Sequence, residues 1–192
     1  MLTGLLVDLV PCGERFRKLM AAWNSGPASF WADAGMRVIK SQVQFDAMFR
    51  EWQEKSDRIE VDFGIQTKDG TLIGEIGMNW MSPYHRFANI GAIIGDPAYW
   101  GGGYGTDALM LYIDYAFDWL DLRRIFLDTM SINARVIRQM EKVGFKLEAR
   151  RREAMYGDGV WYDELIYGLL RDEWLGREAL LEKMGFSTTK GR

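Results

Sequence analysis

The stretch Pro97-Ala98-Tyr99-Trp100-Gly101-Gly102-Gly103-Tyr104-Gly105-Thr106 decides how the rest of the chain is read. It follows an apolar run, Phe87 to Ile94, that ends at Gly95-Asp96-Pro97, and it opens an amphipathic segment from Thr106 to Leu120. Strand, glycine-rich loop and helix therefore come in succession. Four glycines among residues 101–105 permit positive φ and let a ligand approach the backbone closely. The amides at the helix start, with the positive end of its dipole, make a seat for phosphate groups. A P-loop would need a lysine after its last glycine, and Thr106 stands there instead. A dinucleotide fingerprint would need a third glycine where Thr106 lies. A third reading, a seat for the diphosphate of coenzyme A, competes with these two.

Working outward, Val61 to Thr67 and Thr71 to Trp80 flank Lys68-Asp69-Gly70, whose Asp-Gly pair between apolar runs signals a hairpin. Phe87 to Ile94 reads as a central strand buried on both faces. Downstream come a strand over Arg124 to Met130 and a helix from about Asn133 to Lys142 that Gly144 stops. A second hairpin follows, Phe145 to Tyr156 and Val160 to Leu169, around Gly157-Asp158-Gly159. Upstream, residues 5–10 form a short strand ended by Pro11. Phe16, Leu19, Met20 and Trp23 then recur at helical spacing, and Ser41 caps a helix with Val43, Phe45, Met48, Phe49 and Trp52 as its apolar face. The aromatic-rich stretch from Trp23 to Trp52 forms either a flap over a groove or plain core. A short helix is expected over Arg171 to Met184, with a frayed end beyond it.

Composition narrows the function. The 192 residues, 48% hydrophobic and 27% charged, suit one globular α/β domain. A net charge of −3 and the absence of a long basic run argue against nucleic acid as a partner. Arg150-Arg151-Arg152 is short, is followed by Glu153, and fits a solvated strand end. One cysteine, Cys12, excludes an intramolecular disulfide, and one histidine, His85, excludes a multi-histidine metal site, so no metal is expected. The N-terminus lacks a basic start and no run approaches the roughly 20 apolar residues of a membrane span. A cytoplasmic location with no membrane partner is expected.

A second landmark lies downstream of the loop: Asn133-Ala134-Arg135-Val136, continuing to Glu141-Lys142-Val143-Gly144-Phe145. With Trp100-Gly101-Gly102-Gly103-Tyr104-Gly105 it resembles the GNAT superfamily of acyl-CoA-dependent N-acetyltransferases. The closer resemblance is to the branch of ribosomal-protein N-terminal-amine acetyltransferases, with a loop Q/R-x-x-G-x-G/A and a later N-x-x-[AS]-x-x-x-x-E-K-x-G-F. Tyr162-Asp163, Tyr167 to Leu170 and Glu173-Trp174 also look like that branch. The resemblance spans about residues 5 to 175, leaving 176–192 as a helical tail. It implies a mixed α/β fold whose central, mostly antiparallel sheet splays open around the thioester, with acetyl-CoA as co-substrate.

By the same resemblance, backbone groups around Ile93, Ile94 and Gly95 meet the pantetheine arm. Trp100 and the amides of Gly101, Gly102, Gly103, Tyr104, Gly105 and Thr106 hold the diphosphate. Asn133 binds the pantetheine arm or a water, and Arg138 faces the adenosine. Trp100 departs from the motif's Gln or Arg, which removes a polar contact and leaves the backbone cradle intact. The acceptor must be a neutral amine to attack the thioester, so a base is needed, and the departing thiolate benefits from an acid. The family's strand glutamate falls at Asn89, which takes no proton; Glu75 and Asp128 are the substitute bases. The family's tyrosine acid falls at Met140, leaving Tyr156, Tyr162 or Tyr167. The implied reaction is acetyl transfer to a primary amine of a small molecule or a protein N-terminus. The departures at Asn89 and Met140 motivate the alternative of a non-catalytic acyl-CoA-binding module. Exposed sheet edges and surplus aromatics make a homodimer the expected assembly. Replacing Gly103 by Glu is expected to abolish micromolar acetyl-CoA binding in a calorimetric titration. Retained binding would mean that the loop is only a turn.

Overall fold

The computed structural model describes residues 1–32, 41–54 and 61–186. Two short strands, β1 (Leu2–Thr3) and β2 (Val7–Pro11), precede α1 (Glu14–Ser25), α2 (Ser29–Ala32) and α3 (Gln42–Glu54). Then come β3 (Phe63–Thr67), β4 (Leu72–Ser82) and β5 (Phe87–Ile94). Helix α4 (Tyr104–Asp114) follows the glycine loop and continues into a π-helical turn, Tyr115–Trp119. The chain ends with β6 (Arg124–Met130), α5 (Ala134–Val143), β7 (Lys146–Gly157), β8 (Val160–Leu170) and α6 (Arg177–Lys183).

The eight strands form one sheet in the order β1-β2-β3-β4-β5-β6-β8-β7. Every neighbouring pair is antiparallel except β5 and β6, whose parallel pairing requires the crossover through α4. Both hairpins form where their Asp-Gly turns lie. Gly70 has φ 90° and its amide returns to the Thr67 carbonyl at 3.0 Å. The expectation of a mixed, mostly antiparallel α/β fold is met.

The core forms on the sheet face that α4 covers. Leu9, Ile65, Ile73, Ile76, Ile90 and Ile125 meet Tyr112, Ile113 and Phe117 there, all essentially shielded from water. Each contributes roughly 1.5–3 kcal/mol through its removal from water. Met140 from α5 and Leu180 and Leu181 from α6 join the same core, so the tail expected after residue 175 packs against the domain. A smaller cluster of Phe16, Trp23 and Phe49 joins α1 to α3 on the opposite face.

Some local expectations shift. The first strand begins at Val7, with a second, β1, beside it. Ser41 caps α3 as anticipated: its Oγ accepts the Gln44 amide and Gln44 Oε1 accepts the Ser41 amide, a reciprocal capping box. Of that helix's expected apolar face, however, Phe45 and Phe49 are buried while Val43 and Met48 are exposed, because only one side of α3 meets α1. Residues 33–40 of the aromatic stretch, the side chain of Trp52 and residues 187–192 of the expected frayed end lie outside the described residues. The single helix expected over 171–184 is split: Arg171–Glu173 is one 3-10 turn, and α6 starts after Gly176 at φ 86°. Arg150 and Arg151 lie on the edge strand β7 and pair with Asp163 and Glu164 of β8, as a charged edge should.

One anchor was not legible in the sequence. Asp107, 3% exposed in the first turn of α4, accepts the amides of Leu6 and Val7 at 2.7 and 3.1 Å. Its other oxygen accepts from Arg177 at 3.0 Å. One carboxylate therefore joins the start of β2 and the start of α6 to the helix behind the glycine loop. Replacing Asp107 by Ala strands a buried guanidinium and two amides, and is expected to lower stability by about 3 kcal/mol. Urea denaturation measures this; a loss below about 1 kcal/mol would contradict the anchoring role.

Candidate active site

The parallel pairing of β5 with β6 lasts three residues: Phe87, Ala88 and Asn89 against Arg124, Ile125 and Phe126. Beyond Asn89 the strands part, and the sheet opens into a fork. On its other side β5 remains paired with β4 up to Ile94, and the Gly95 amide reaches the Ile73 carbonyl at 2.8 Å. Antiparallel alternation then directs the Ile93 backbone groups to Glu75 of β4 and those of Ala92 and Ile94 into the fork. Trp100 agrees with this phase, since its Nε1 donates to the Ile94 carbonyl at 2.7 Å. Of the three backbone positions anticipated from sequence, Ile94 faces the fork, whereas Ile93 and Gly95 pair with β4.

The glycine loop lies at the head of the fork. Asp96 caps the 3-10 turn Pro97–Tyr99 by accepting the Ala98 amide. Gly103, at φ 88°, is the N-cap of α4, a conformation that costs a residue with a Cβ about 1–2 kcal/mol. No side chain caps this helix, so the amides that follow Gly103 point outward without a protein side-chain acceptor at the cap. A Cβ on Gly101 would meet nothing within 4 Å, so the cradle is open. Outward amides, an open loop and the dipole's positive end fit a diphosphate.

At the crotch of the fork stand three polar side chains. Asn79 is the extra residue where the β4–β5 register shifts between Met78 and Trp80. Its Nδ2 donates to Oδ1 of Asn89, and Asn89 Nδ2 donates to Oδ1 of Asp128 at 3.0 Å. Asn89 is buried and Asp128 exposed. The floor beside them is made by two glycines in register, Gly77 and Gly91. A Cβ on Gly77 would fall 1.6 Å from Asp62 Oδ1, and one on Gly91 would fall 3.2 Å from Asn79 Nδ2. Both positions therefore have to be side-chain free for the polar groups to lie on the sheet. Trp80, Phe87 and Phe126 make the adjoining wall, with ring centroids 5.1 to 6.2 Å apart.

Other sequence candidates are placed elsewhere. Glu75 lies further up the same face, paired in register with Ile93, and acts with Asp62 on Cys12. Asn133 is a structural cap: its Oδ1 accepts the Val136 amide and its Nδ2 donates to Thr129 Oγ1 at 3.1 Å. Tyr167 is buried and donates to Glu141 at 3.2 Å, with burial and that carboxylate raising its pKa, so it is held away from a proton-donor role. Tyr156 stacks on Trp161 at the hairpin end, and Tyr162 lies opposite Met155. Arg138 is exposed on α5. His85 is exposed against Tyr84 and Phe87. Among the described residues no group of three His, Cys, Asp or Glu side chains could hold a metal, and no helix is long and apolar enough to cross a membrane. Of the polar triplet at the crotch, Asn89 and Asp128 are among the sequence candidates, whereas Asn79 escaped sequence reading because it counts only through the bulge that turns it toward Asn89.

A forked mixed sheet, closed at its head by a glycine-capped helix, defines an acyl-CoA-dependent transferase. Comparison with known proteins agrees: residues 11–146 match the family described as the Acetyltransferase (GNAT) domain. The chain belongs to the GNAT family and is an N-acetyltransferase. YoaA of Bacillus subtilis (strain 168), an uncharacterized N-acetyltransferase, is 32% identical over 150 residues, 77% of this chain and 82% of YoaA. YdaF of the same organism, named as a proposed ribosomal N-acetyltransferase, is 33% identical over 134 residues, 69% of this chain and 72% of YdaF. The crystal structure of spermidine N-acetyltransferase from Vibrio cholerae in complex with CoA and spermine has the same fold. Its TM-score is 0.81 at 20% identity, covering 89% of this chain and 99% of that one.

Cys12 supplies a test of how closed the inner end of the site is. Burial, then Glu75 and Asp62, raise its thiol far above the ordinary value. The thiol keeps its proton more tightly folded than unfolded, so its stabilising contribution is full below about pH 8.5 and declines as pH rises. Alkylation by iodoacetamide at pH 8 is expected to run at least roughly 100-fold slower in the native protein than in urea. Equal rates would show that the thiol is open to solvent.

Proposed function

We propose that the enzyme acetylates a small cationic primary amine, with Asp128 as general base. The observation that carries this reading is the hydrogen-bonded row Asn79, Asn89 and Asp128 at the crotch of the fork. An ammonium ion needs acceptors to enter the site and must lose a proton before it attacks. Asp128 offers both. One of its oxygens is fixed by Asn89, which orients the carboxylate, and exposure of the residue allows a water to carry the proton. The net charge of −3 has the sign that favours a cation. The aromatic faces of Trp80 and Phe126 suit the flank of an ammonium.

Asn89 is then a positioning residue, occupying the place where the resemblance leads one to expect a carboxylate, with the proton acceptor moved to Asp128 across the fork. The thioester oxygen gathers charge as the amine adds, and the Ala92 amide, which faces the fork nearer the crotch, can donate a hydrogen bond to it. The departing thiolate takes its proton from solvent or from the amine, since Tyr167 is engaged by Glu141. The Vibrio cholerae protein of the same fold binds spermine, which makes polyamines the first acceptors to try. A peptide N-terminus, suggested by the loop motif and by YdaF, is the second class.

Asp128→Asn is expected to lower kcat about 100-fold and to leave the KM for acetyl-CoA within about twofold, with the residual rate rising as pH increases. Initial rates over a panel of polyamines, monoamines and short peptides check this. An Asp128→Asn enzyme with unchanged kcat would remove the base from this position. A panel in which only peptides react would replace the small amine by a protein terminus.

A further inference from the structure

Arg135, in the first turn of α5, has a placement that the acceptor chemistry does not use. Its guanidinium carbon lies 4.3 Å from the ring centroid of Trp100. That indole is itself fixed, because its Nε1 donates to the Ile94 carbonyl. One turn along α5, Gln139 Nε2 lies 3.5 Å from where a Cβ on Gly105 would stand. Residues 135 and 139 share a helix face, so that face of α5 runs beside the loop from Trp100 to Gly105. Arg135 is half-buried, and loss of water is the cause that lowers its pKa. Among the described residues no carboxylate pairs with it. The acids nearest in sequence to the loop are occupied: Asp96 by the Ala98 amide, Asp107 by Leu6, Val7 and Arg177. A partly desolvated cation therefore stands beside the positive end of α4 with no protein anion to offset it.

We propose that Arg135, held over the Trp100 ring, binds the diphosphate of the acyl-CoA substrate and so completes the backbone cradle with a side-chain cation. This rests on acyl-CoA as the donor. A guanidinium can offer two N–H groups to a phosphate while it lies against the indole, which lysine does not reproduce. Trp100 thus acts on the ligand indirectly, by orienting Arg135.

The test is a calorimetric titration of acetyl-CoA and of 3′-dephospho-CoA into the wild type, Arg135→Gln and Arg135→Lys. S-acetylpantetheine, which lacks the diphosphate, is followed in parallel by tryptophan fluorescence. Arg135→Gln should bind both nucleotide ligands roughly 10- to 100-fold more weakly and bind S-acetylpantetheine as the wild type does. Arg135→Lys should recover only part of the loss. The proposal is overturned if S-acetylpantetheine weakens equally, which would make the role structural. It is also overturned if the loss disappears with 3′-dephospho-CoA, which would move Arg135 to the ribose phosphate, or if the variants bind acetyl-CoA unchanged. Failure of the wild type to bind acetyl-CoA would overturn the donor reading together with it. Thermal unfolding within about 3 °C of the wild type establishes that the variants are folded.

Discussion

The structure depends on a pairing that stops early. Three residues of β5 lie against three of β6, and then the strands part. A backbone edge opened inside a protein is costly unless its polar groups find partners. At the head the Trp100 indole donates to the Ile94 carbonyl, and at the crotch the Asn89 side chain ties β5 to the Asp128 side chain of β6. Between these two clamps β5 keeps its full ladder to β4, so the opening is rigid on one side. The site is therefore a defect of the sheet, held open by design of its ends.

The two ends carry opposite electrical character. At the head lie the start of α4, the glycine amides and Arg135. At the crotch lies Asp128, and Asp62 lies beside Gly77 on the floor. An anionic donor and a cationic acceptor entering the same fork would each be favoured at one end only. Gly77 and Gly91 leave room on the floor for the Asp62 carboxylate and the Asn79 amide.

Much of this was legible in the sequence, and what was not has identifiable causes. Hairpin turns announce themselves locally, and so did the strand, loop and helix around Gly103, because glycine and Asp-Gly constrain φ wherever they stand. Asp128 was visible as a strand carboxylate near the cleft. Its link to Asn79 was not, since a bulge shifts the register and no local pattern marks it. Asn133 carries the family's motif, and the structure adds that it caps α5 and reaches Thr129, leaving one N–H of its amide uncommitted among the described residues. A motif fixes a residue's identity, while hydrogen-bond partners fix what the residue is free to do. In the sequence Trp100 removes one polar contact and leaves the backbone cradle intact; the structure adds that its indole ties the loop to β5 and lies under Arg135. Both contacts cross between elements, and composition and periodicity carry no trace of them.

The Asp107 knot has a consequence for how the protein is made. It closes chain separations of about a hundred residues toward Leu6 and Val7, and seventy toward Arg177. Contacts of that span form late, after local turns and neighbouring strands have reduced the entropy of closure. During synthesis the N-terminal strand can reach α4 as soon as that helix emerges, but Arg177 follows only after β8. The helix that presents the loop thus gains this support only after the whole sheet has been made. A truncated product would carry every residue of the glycine loop and still lack the brace that holds it.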